Sequence, residues 1–402
     1  MLIKDNFFKN YLVNLSSYKK NIKKTKKIYD SFVKDINELK IPMLESYNKD
    51  YEFDFSPAIV KKFSKYKNII IIGMGGSILG TKSIYSFFKK KIKKEVFFFD
   101  NLDLNLNNNY KKIKNLKNSC FVVAGKSGRT IETIINLGII FSENLIKNKI
   151  VVIAQATDNA LIDIANKYDA EVIEHKEFIS GRYSVLSETG MFPAALMGLN
   201  LTKFKNLKKL LKSKKFVSTL IQNVAFIYTL NLKKINNSVI LNYDSNLNDL
   251  GYWYQQLVAE SLGKKGKGIN PTLSFGPKDH HSLLQLYLDG PKDKFFTFFN
   301  SLQKDDKFKV SQEIIPKDMK FLKNKKLSFV VKAQCEAVKN IFQIKKIPFR
   351  QITFNKKNEE ELGEIFTFFV LETILLSRLM NIDPFNQPAV EEVKTETRKI
   401  LR

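Results

Sequence analysis

Two short glycine-rich segments constrain the fold of this chain more than any other feature. They are Gly73–Ser77 (GMGGS) and Lys126–Thr130 (KSGRT), and each follows an apolar run and precedes a helical pattern. A strand that ends in a small-residue turn and opens a helix leaves backbone N–H groups that point to one place, and such places bind anions, above all phosphate. Two of these turns in a βαβ context predict one phosphorylated ligand held between neighbouring loops.

Neither turn matches a standard nucleotide-binding fingerprint. Residues 73–80 (GMGGSILG) have neither the G-x-G-x-x-G spacing nor the P-loop pattern, so that this segment alone is also compatible with a plain tight turn. In the second turn, Ser127 and Thr130 can donate hydrogen bonds to phosphate oxygens, and Lys126 or Arg129 can neutralise their charge. The alternative is that Ser127 or Thr130 only caps the following helix.

Apolar runs alternate with helical patterns along most of the chain. The runs predict strands at Asn68–Ile72, Val96–Phe99, Cys120–Val123, Ile150–Ala154, Glu171–Ile173, Ser238–Asn242, Lys294–Phe299 and Phe349–Phe354. Helical patterns include Ser187–Leu199, Asp249–Leu262 and Glu359–Met380. This alternation is typical of parallel sheets covered on both faces by helices. We expect a helical segment over 1–45, one α/β domain over 46–190, a second over 191–355, and C-terminal helices over 356–402 that pack back on the site.

The composition excludes several classes of protein. The 402 residues carry a net charge of +27, but the lysines are spread over the whole chain, which favours a generally basic surface over a nucleic-acid site. Such a charge can still steer anionic ligands toward the protein. Two cysteines and three histidines argue against a disulfide framework and a multi-histidine metal site, and fit a reducing cytosol.

The termini and the most apolar helix show no targeting or membrane pattern. Residues 1–5 have no long apolar core and no cleavage-like site. The stretch Ile365–Met380 contains Glu372 and Arg378, is too short for a membrane span, and is typical of a buried helix. We therefore expect no membrane partner.

Further along the chain are residues suited to proton transfer. Gln256 and Glu260 are four residues apart and share a helix face. A carboxylate with mainly apolar surroundings has a raised pKa and can act as a base, although Glu260 could instead be solvated and paired with Lys264. Arg182, the His280–His281 pair and Lys394 would each be ordinary surface residues if considered in isolation.

Considered together, these segments resemble the glucose-6-phosphate isomerase family. The motifs occur in the family's order over most of residues 65–400, as GMGGS, KSGRTIET, GRYSVLS, QQLVAESLGK, HSLLQ and FNQPAVE with Lys394. The resemblance implies two doubly wound α/β domains of the sugar-isomerase (SIS) type, a homodimer and no metal or other cofactor. It also implies reversible conversion of glucose 6-phosphate and fructose 6-phosphate in the cytoplasm, within glycolysis and gluconeogenesis.

The resemblance also assigns roles, residue by residue. Glu260 corresponds to the base that moves a proton between C2 and C1, Arg182 to the cation that stabilises the enediolate, and Lys394 to a lysine at the ring or hydroxyl oxygens. His281, in the H-S-x-x-Q frame, corresponds to the ring-opening histidine, which in the family comes from the other subunit. The phosphate site corresponds to Ser77, Lys126, Ser127 and Thr130, and the substrate contacts to Gly76, Gln256 and Gln387.

Three departures from the family pattern concern the phosphate loop and the histidine. Gly125 and Arg129 stand where the family usually has serine and threonine, and His280 stands where it commonly has glutamine. Rival interpretations are an isomerase of the same fold that acts on mannose or amino-sugar phosphates, a non-catalytic SIS-type sensor, and a nucleic-acid binder.

Overall fold

Two five-stranded sheets form the framework of the protein. The structure is a computed structural model, and it describes residues 3–6, 16–104, 110, 113, 116–142, 149–302 and 307–402. The strands are β1 (Ile3–Asn6), β2 (Asn68–Gly73), β3 (Glu95–Phe99), β4 (Ser119–Ala124), β5 (Ile150–Ala154), β6 (Glu171–Glu174), β7 (Asn237–Asn242), β8 (Asn270–Phe275), β9 (Lys294–Ser301) and β10 (Phe349–Phe354).

Helices connect these strands and cover the sheets. Their bounds are α1 (Ser16–Asn37), α2 (Pro57–Ser64), α3 (Leu79–Phe88), α4 (Ile131–Ser142), α5 (Ala160–Tyr168), α6 (Glu188–Leu196), α7 (Leu201–Phe204), α8 (Leu207–Lys212), α9 (Lys214–Leu232), α10 (Asn248–Leu262), α11 (Leu284–Asp289), α12 (Leu327–Ile344), α13 (Glu359–Met380) and α14 (Pro388–Ile400). Short 3₁₀ turns at Gly75–Ser77, Gly181–Leu186 and Lys278–His281 carry residues discussed below.

The two sheets share one strand order. The first sheet is parallel throughout, in the order β3-β2-β4-β5-β6. The second has the order β1-β10-β9-β7-β8 and is parallel except for β1, which pairs antiparallel with β10. In each sheet the earliest parallel strand, β2 or β7, lies between the next two strands, so that the strand order reverses beside it. Ligands of open α/β sheets bind in the crevice at this reversal, outside the carboxyl ends of the strands.

The first sheet is buried on both faces, as its sequence predicts. Every residue of β2 and β4 is buried. Because successive side chains of a strand point to opposite faces, Ile70 and Ile72 belong to one apolar cluster while Ile69 and Ile71 belong to another. The doubly wound α/β class that the sequence predicts is confirmed, whereas the predicted domain limits at 45, 190 and 355 stay predictions.

The largest apolar cluster joins helices from distant parts of the chain. It contains Phe32 of α1, Phe226 of α9, Trp253 of α10 and Phe369 of α13, all almost completely buried. The helix α13 corresponds to the apolar stretch that the sequence predicts to be buried. No helix within the described ranges has the length and apolar character required to cross a membrane.

Two strands, β1 and β8, are not predicted from the sequence. No strand is expected before Asn68, yet β1 pairs with β10 at the edge of the second sheet. Likewise β8 begins with Asn270-Pro271, a pair more typical of a loop. Both are edge strands, where proline is tolerated because one side of the strand needs no ladder partner.

The second sheet carries a carboxylate at its own point of strand reversal. Asp244 follows β7, is 3% exposed, and accepts hydrogen bonds from Lys357 Nζ at 2.6 Å, from the hydroxyl of Ser301 at the end of β9, and from the backbone N–H of Asn246 at 3.0 Å. Burial raises the pKa of Asp244, but Lys357 and these hydrogen bonds outweigh that effect and hold the pKa below its ordinary value.

A buried ion pair ties the second sheet to α13. Both nitrogens at the tip of the Arg350 guanidinium on β10 donate to Glu372, at 2.5 and 2.9 Å, and the side chains are 0% and 2% exposed. Arg350 Nε also donates to Thr297 Oγ1 on β9 at 3.0 Å. Removing one member of such a pair leaves the other charge buried without compensation.

We predict that Glu372→Gln lowers the free energy of unfolding by about 3–5 kcal/mol, because the amide no longer neutralises Arg350. Urea unfolding followed by circular dichroism measures the change. The matched control is Glu396→Gln, which makes the same substitution in an exposed pair with Lys399 and should leave the midpoint where it is. Equal midpoints for Glu372→Gln and the wild type would contradict the prediction.

Candidate active site

The two glycine-rich turns lie side by side at the reversal point of the first sheet. β2 and β4 are adjacent and parallel, and their last residues, Gly73 and Ala124, are paired in register. The turn after β2 leads into α3, and the turn after β4 leads into α4. Both turns therefore border the crevice in which a ligand of a doubly wound sheet binds. Their adjacency agrees with the expectation of one ligand held between them.

Two glycines in these turns are required by the backbone. Gly128 has φ +62°, and a Cβ there would lie 1.7 Å from Asn159 Oδ1. A Cβ on Gly76 would lie 2.1 Å from the carbonyl carbon of Gly181 and 2.5 Å from the backbone nitrogen of Arg182. The first turn thus packs backbone to backbone against the 3₁₀ turn that carries Arg182, and only glycine permits this approach.

Arg182 is a buried cation that contacts two of the predicted site residues. Its side chain is 1% exposed. Nη1 donates to Glu260 Oε2 at 3.2 Å and to Gln387 Oε1 at 2.7 Å. Nε donates to Ser261 Oγ at 3.0 Å. Sequence positions separated by 78 and 205 residues therefore meet at one guanidinium.

Backbone carbonyls supply the other acceptors of this guanidinium. Arg182 Nη2 donates to Pro384 O at 2.6 Å and to Asn386 O at 3.0 Å. Sequence reasoning missed both, because a backbone acceptor leaves no signal in residue type. It also missed Ser261, although this serine is part of the QQLVAESLGK motif, since its role depends on a partner from another part of the chain.

Glu260 lies near the carboxyl end of α10, where polar groups surround its carboxylate. Gln256, one helical turn earlier, donates from Nε2 to Glu260 Oε1 at 2.9 Å. With Arg182 on the other oxygen, Glu260 faces an amide and a guanidinium, so the expectation of mainly apolar surroundings is wrong. Its side chain remains 29% exposed, which leaves the carboxylate accessible from the crevice. Lys264 donates to backbone carbonyls instead of pairing with Glu260.

The second turn carries Lys126, Arg129 and Ser127, and Lys126 lies near Arg182. Burial lowers the pKa of Lys126, Glu177 opposes this, and the nearby Arg182 adds to it. Lys126 Nζ donates to Glu177 O at 2.6 Å, and Arg129 Nη2 donates to Asp158 O at 3.1 Å. Ser127 in this turn is exposed, whereas Ser77 of the first turn is 8% exposed.

His281 and Lys394 are exposed residues, on a 3₁₀ turn and on α14 respectively. Within the described part of the chain, no hydrogen bond or ion pair joins either residue to Arg182 or Glu260. His281 is exposed on its 3₁₀ turn, whereas the neighbouring His280 places Nε2 2.6 Å from the hydroxyl oxygen of Tyr243. Lys394 lies on the exposed helix α14 and donates to Glu391 Oε1 at 2.6 Å.

The described residues offer no obvious metal ligands. In these ranges, no group of three or more histidine, cysteine, aspartate or glutamate side chains is placed to hold a metal ion. The chemistry at hand is that of a carboxylate beside a guanidinium, with a glycine-rich turn nearby. Such a pair suits removal of a proton next to a carbonyl group, in which the carboxylate takes the proton and the cation stabilises the oxygen that becomes negative.

Comparison with known proteins identifies the family of the chain. A family model described as phosphoglucose isomerase matches residues 58–402. The chain belongs to the phosphoglucose isomerase family. A curated family member, the glucose-6-phosphate isomerase of Methanocaldococcus jannaschii, is 32% identical over 364 residues, which cover 88% of this chain and 89% of that protein. The glucose-6-phosphate isomerase of Mycoplasmopsis synoviae is 29% identical over 417 residues, covering 96% and 95% of the two chains.

Solved structures place the fold among those of the phosphoglucose isomerase family. A hypothetical protein of Thermus thermophilus superposes with a TM-score of 0.81 at 20% identity, with complete coverage of both chains. A glucose-6-phosphate isomerase of Chlamydia trachomatis superposes with a TM-score of 0.74 at 18% identity, covering 86% of this chain and 71% of that one. At these identities the likeness concerns the fold alone.

We predict that Gly76→Ala destabilises the protein by about 1–3 kcal/mol, because its methyl group collides with the backbone before Arg182. The control is Gly138→Ala on α4, where a Cβ meets nothing within 4 Å. That substitution should raise stability by up to about 1 kcal/mol through helix propensity. Thermal unfolding measures the midpoint of both variants. An unchanged midpoint for Gly76→Ala would contradict the prediction and would show that the close approach of Gly76 to the backbone of Gly181 and Arg182 is relaxed in solution.

Proposed function

We propose that this chain interconverts D-glucose 6-phosphate and D-fructose 6-phosphate, as a cytoplasmic enzyme of glycolysis and gluconeogenesis. The reaction would open the sugar ring and then move one proton between C2 and C1 through a cis-enediol(ate). The observation that carries the proposal is the Arg182–Glu260 pair, held at 3.2 Å beside the two glycine-rich turns. Membership of the phosphoglucose isomerase family supports the choice of substrate class.

The phosphate group is the anchor in this proposal. Ser77, Lys126, Ser127 and Thr130 would bind its oxygens, with help from backbone N–H groups at the start of α4. Lys126 would exchange its contact with the carbonyl of Glu177 for the phosphate, which as an anion is the stronger acceptor. Anchoring the phosphate at the turns would place C1 and C2 within reach of Glu260 without a further encounter step.

Glu260 would act as the base of the isomerisation. Its carboxylate takes the proton from C2 of the open aldose while the C1 carbonyl oxygen gains negative charge, giving the cis-enediol(ate). Return of the same proton to C1, together with transfer of the O2 proton to O1, then gives the ketose, so that no oxidant or reductant is needed. The Glu260 carboxylate is accessible and the Arg182 guanidinium is buried, which fits a reacting role for the first and a stabilising role for the second.

One nitrogen of Arg182 would stabilise the enediolate. Nε and Nη2 are taken up by Ser261 and by the backbone carbonyls after α13. Nη1 faces Glu260 and Gln387, the two side chains that line the accessible part of the site. A fixed cation at the position where charge develops lowers the barrier without reorganisation. Gly76, Gln256 and Gln387 would contact the sugar.

The remaining two residues would join the site through a second copy of the chain and through α14. We propose a homodimer in which the partner supplies His281 for ring opening, and in which Lys394 assists at the ring or hydroxyl oxygens. The exposure of His281 leaves it accessible to another subunit. In α14, no residue is buried and Val393 and Ile400 are 67% and 78% exposed, which is the expected state of a helix whose neighbour is another chain.

We predict that Glu260→Gln lowers kcat by at least about 100-fold, the smaller end of what a general base contributes. Binding of glucitol 6-phosphate, which carries the phosphate but no carbonyl, should stay within about threefold of wild type, because the anchor is elsewhere. A coupled assay of fructose 6-phosphate conversion and calorimetric titration measure the two effects.

Glu95→Gln is the matched control for this substitution, since Glu95 begins β3 at the opposite end of the sheet from the site. It should leave kcat unchanged. Near-normal turnover by Glu260→Gln would remove Glu260 from the mechanism. Wild-type protein that binds glucitol 6-phosphate without converting any sugar phosphate would be a sensor, and equal activity on mannose 6-phosphate would mark a broader isomerase.

We predict that His281→Ala lowers turnover of cyclic substrate by about 100-fold, whereas turnover of open-chain substrate falls less, because only ring opening needs the imidazole. His280→Ala is the control, since His280 is already engaged with Tyr243. The reverse ranking of the two variants would assign ring opening to His280.

Mixing two inactive variants tests the shared site. Hybrid dimers of His281→Ala and Glu260→Gln chains contain one site with both native residues, so that random mixing after unfolding and refolding should recover about a quarter of wild-type activity. No recovery, with dimers present by sedimentation, would place His281 and Glu260 of the same chain in one site.

A further inference from the structure

Four successive backbone carbonyls after α13 accept hydrogen bonds from side chains of the site. We call residues 383–386 the carbonyl strap. Its bonds are Lys264 Nζ to Asp383 O at 2.6 Å, Arg182 Nη2 and Tyr183 Oη to Pro384 O at 2.6 and 3.2 Å, Ser180 Oγ to Phe385 O at 3.2 Å, and Arg182 Nη2 to Asn386 O at 3.0 Å. The next residue, Gln387, accepts from Arg182 Nη1. The strap is thus bonded at each residue, and its position determines that of the Gln387 side chain.

Lys264 joins the strap to the helix that carries Glu260. It lies two residues beyond the end of α10 and four residues after Glu260. Besides the bond to Asp383 O, Lys264 Nζ donates to Ser261 O at 3.2 Å. Ser261 is also the residue whose hydroxyl accepts from Arg182 Nε. One ammonium group therefore bridges the carboxyl end of α10 and the first residue of the strap.

This ammonium group is held beside another cation at an energetic cost. Burial, with a smaller contribution from the charge of Arg182, lowers the pKa of Lys264 to about 8, although the carboxylates of Asp383 and Glu260 oppose the shift. Arg182, Asp383 and Glu260 are the charged groups that face the Lys264 ammonium group. They lie on the 3₁₀ turn, on the strap and near the end of α10. A lysine kept in such a place offsets the cost through the carbonyl groups it binds at a helix end.

We propose that Lys264 is a positioning residue, which fixes the carbonyl strap and thereby sets Arg182 Nη1 and the Gln387 amide against the Glu260 carboxylate. The proposal rests on the isomerase function proposed above. Both hydrogen bonds of Lys264 Nζ go to backbone carbonyls, so its effect on the reaction passes through the strap.

The test compares Lys264→Met with Lys264→Arg. Lys264→Met should lower kcat by about 10- to 100-fold, the loss that a shift of about 1 Å in catalytic groups produces. KM for fructose 6-phosphate and the affinity for glucitol 6-phosphate should change less than about threefold, because the phosphate anchor does not involve the strap. Lys264→Arg keeps a cationic donor and should recover most of kcat.

Lys267 provides a matched control on the same turn. Its Nζ donates to Met380 O at 3.0 Å, at the last residue of α13 and before the strap begins. Lys267→Met therefore removes a similar lysine–carbonyl bond without touching the strap, and its kcat should stay within about twofold of wild type. Equal losses in the two methionine variants would mean that both lysines only stabilise the fold, and would overturn the proposal.

Two further measurements separate this proposal from the isomerase function. The wild-type kcat should decline as the pH rises through about 8, where Lys264 loses its charge, and Lys264→Arg should abolish that decline. Hydrogen–deuterium exchange of backbone amides in peptides spanning 381–390 should be faster in Lys264→Met than in Lys267→Met, whether or not the protein turns over sugar phosphates.

The outcomes are distinct. A wild-type chain without isomerase activity would overturn the proposed function, and the exchange measurement would still decide whether Lys264 fixes the strap. An active wild type combined with unchanged exchange in Lys264→Met, or with a kcat within twofold of wild type, would overturn the positioning role.

Discussion

The burial of one guanidinium group organises the site. Arg182 is almost completely removed from solvent, and a buried charge is tolerated only where each of its donors finds an acceptor. Five acceptors surround it, from α10 and from the segment after α13. The 3₁₀ turn, the helix end and the strap must therefore assemble together, because the absence of any one leaves a donor unsatisfied. The position of Glu260 follows from the need to satisfy the donors of Arg182.

Local patterns in the sequence predict much of this framework. Strands such as Ile150–Ala154 and the glycine-rich turns after β2 and β4 follow from runs of apolar residues and from backbone requirements, both of which are visible in a short window. The spacing of Gln256 and Glu260 likewise predicts their contact on one helix face. These features depend on neighbours in sequence, and so the sequence alone is sufficient for them.

Contacts between segments that are distant in sequence cannot be predicted from such local patterns. The pairing of Arg182 with Glu260 follows only from motifs in a family order, since spacing alone does not bring them together. The carbonyl acceptors of Pro384 and Asn386 carry no residue-type signal at all. For the same reason the sequence wrongly predicts apolar surroundings for Glu260: the neighbours that matter come from elsewhere in the chain.

The carboxylate of Asp244 makes the crevice of the second sheet unfavourable for an anion. Both have the same strand order, and each therefore creates a crevice at the same topological place. In the first sheet the two glycine-rich turns border that place, whereas in the second the carboxylate of Asp244 already accepts hydrogen bonds from the ammonium group of Lys357 and from neighbouring donors. The carboxylate of Asp244 repels phosphate, and it already accepts the hydrogen bonds that the neighbouring donors could give to an incoming anion. The same strand order therefore occurs once with a built-in anion in its crevice and once without. For the phosphate site proposed above at the first crevice, the duplicated architecture therefore offers no competing anion site at Asp244.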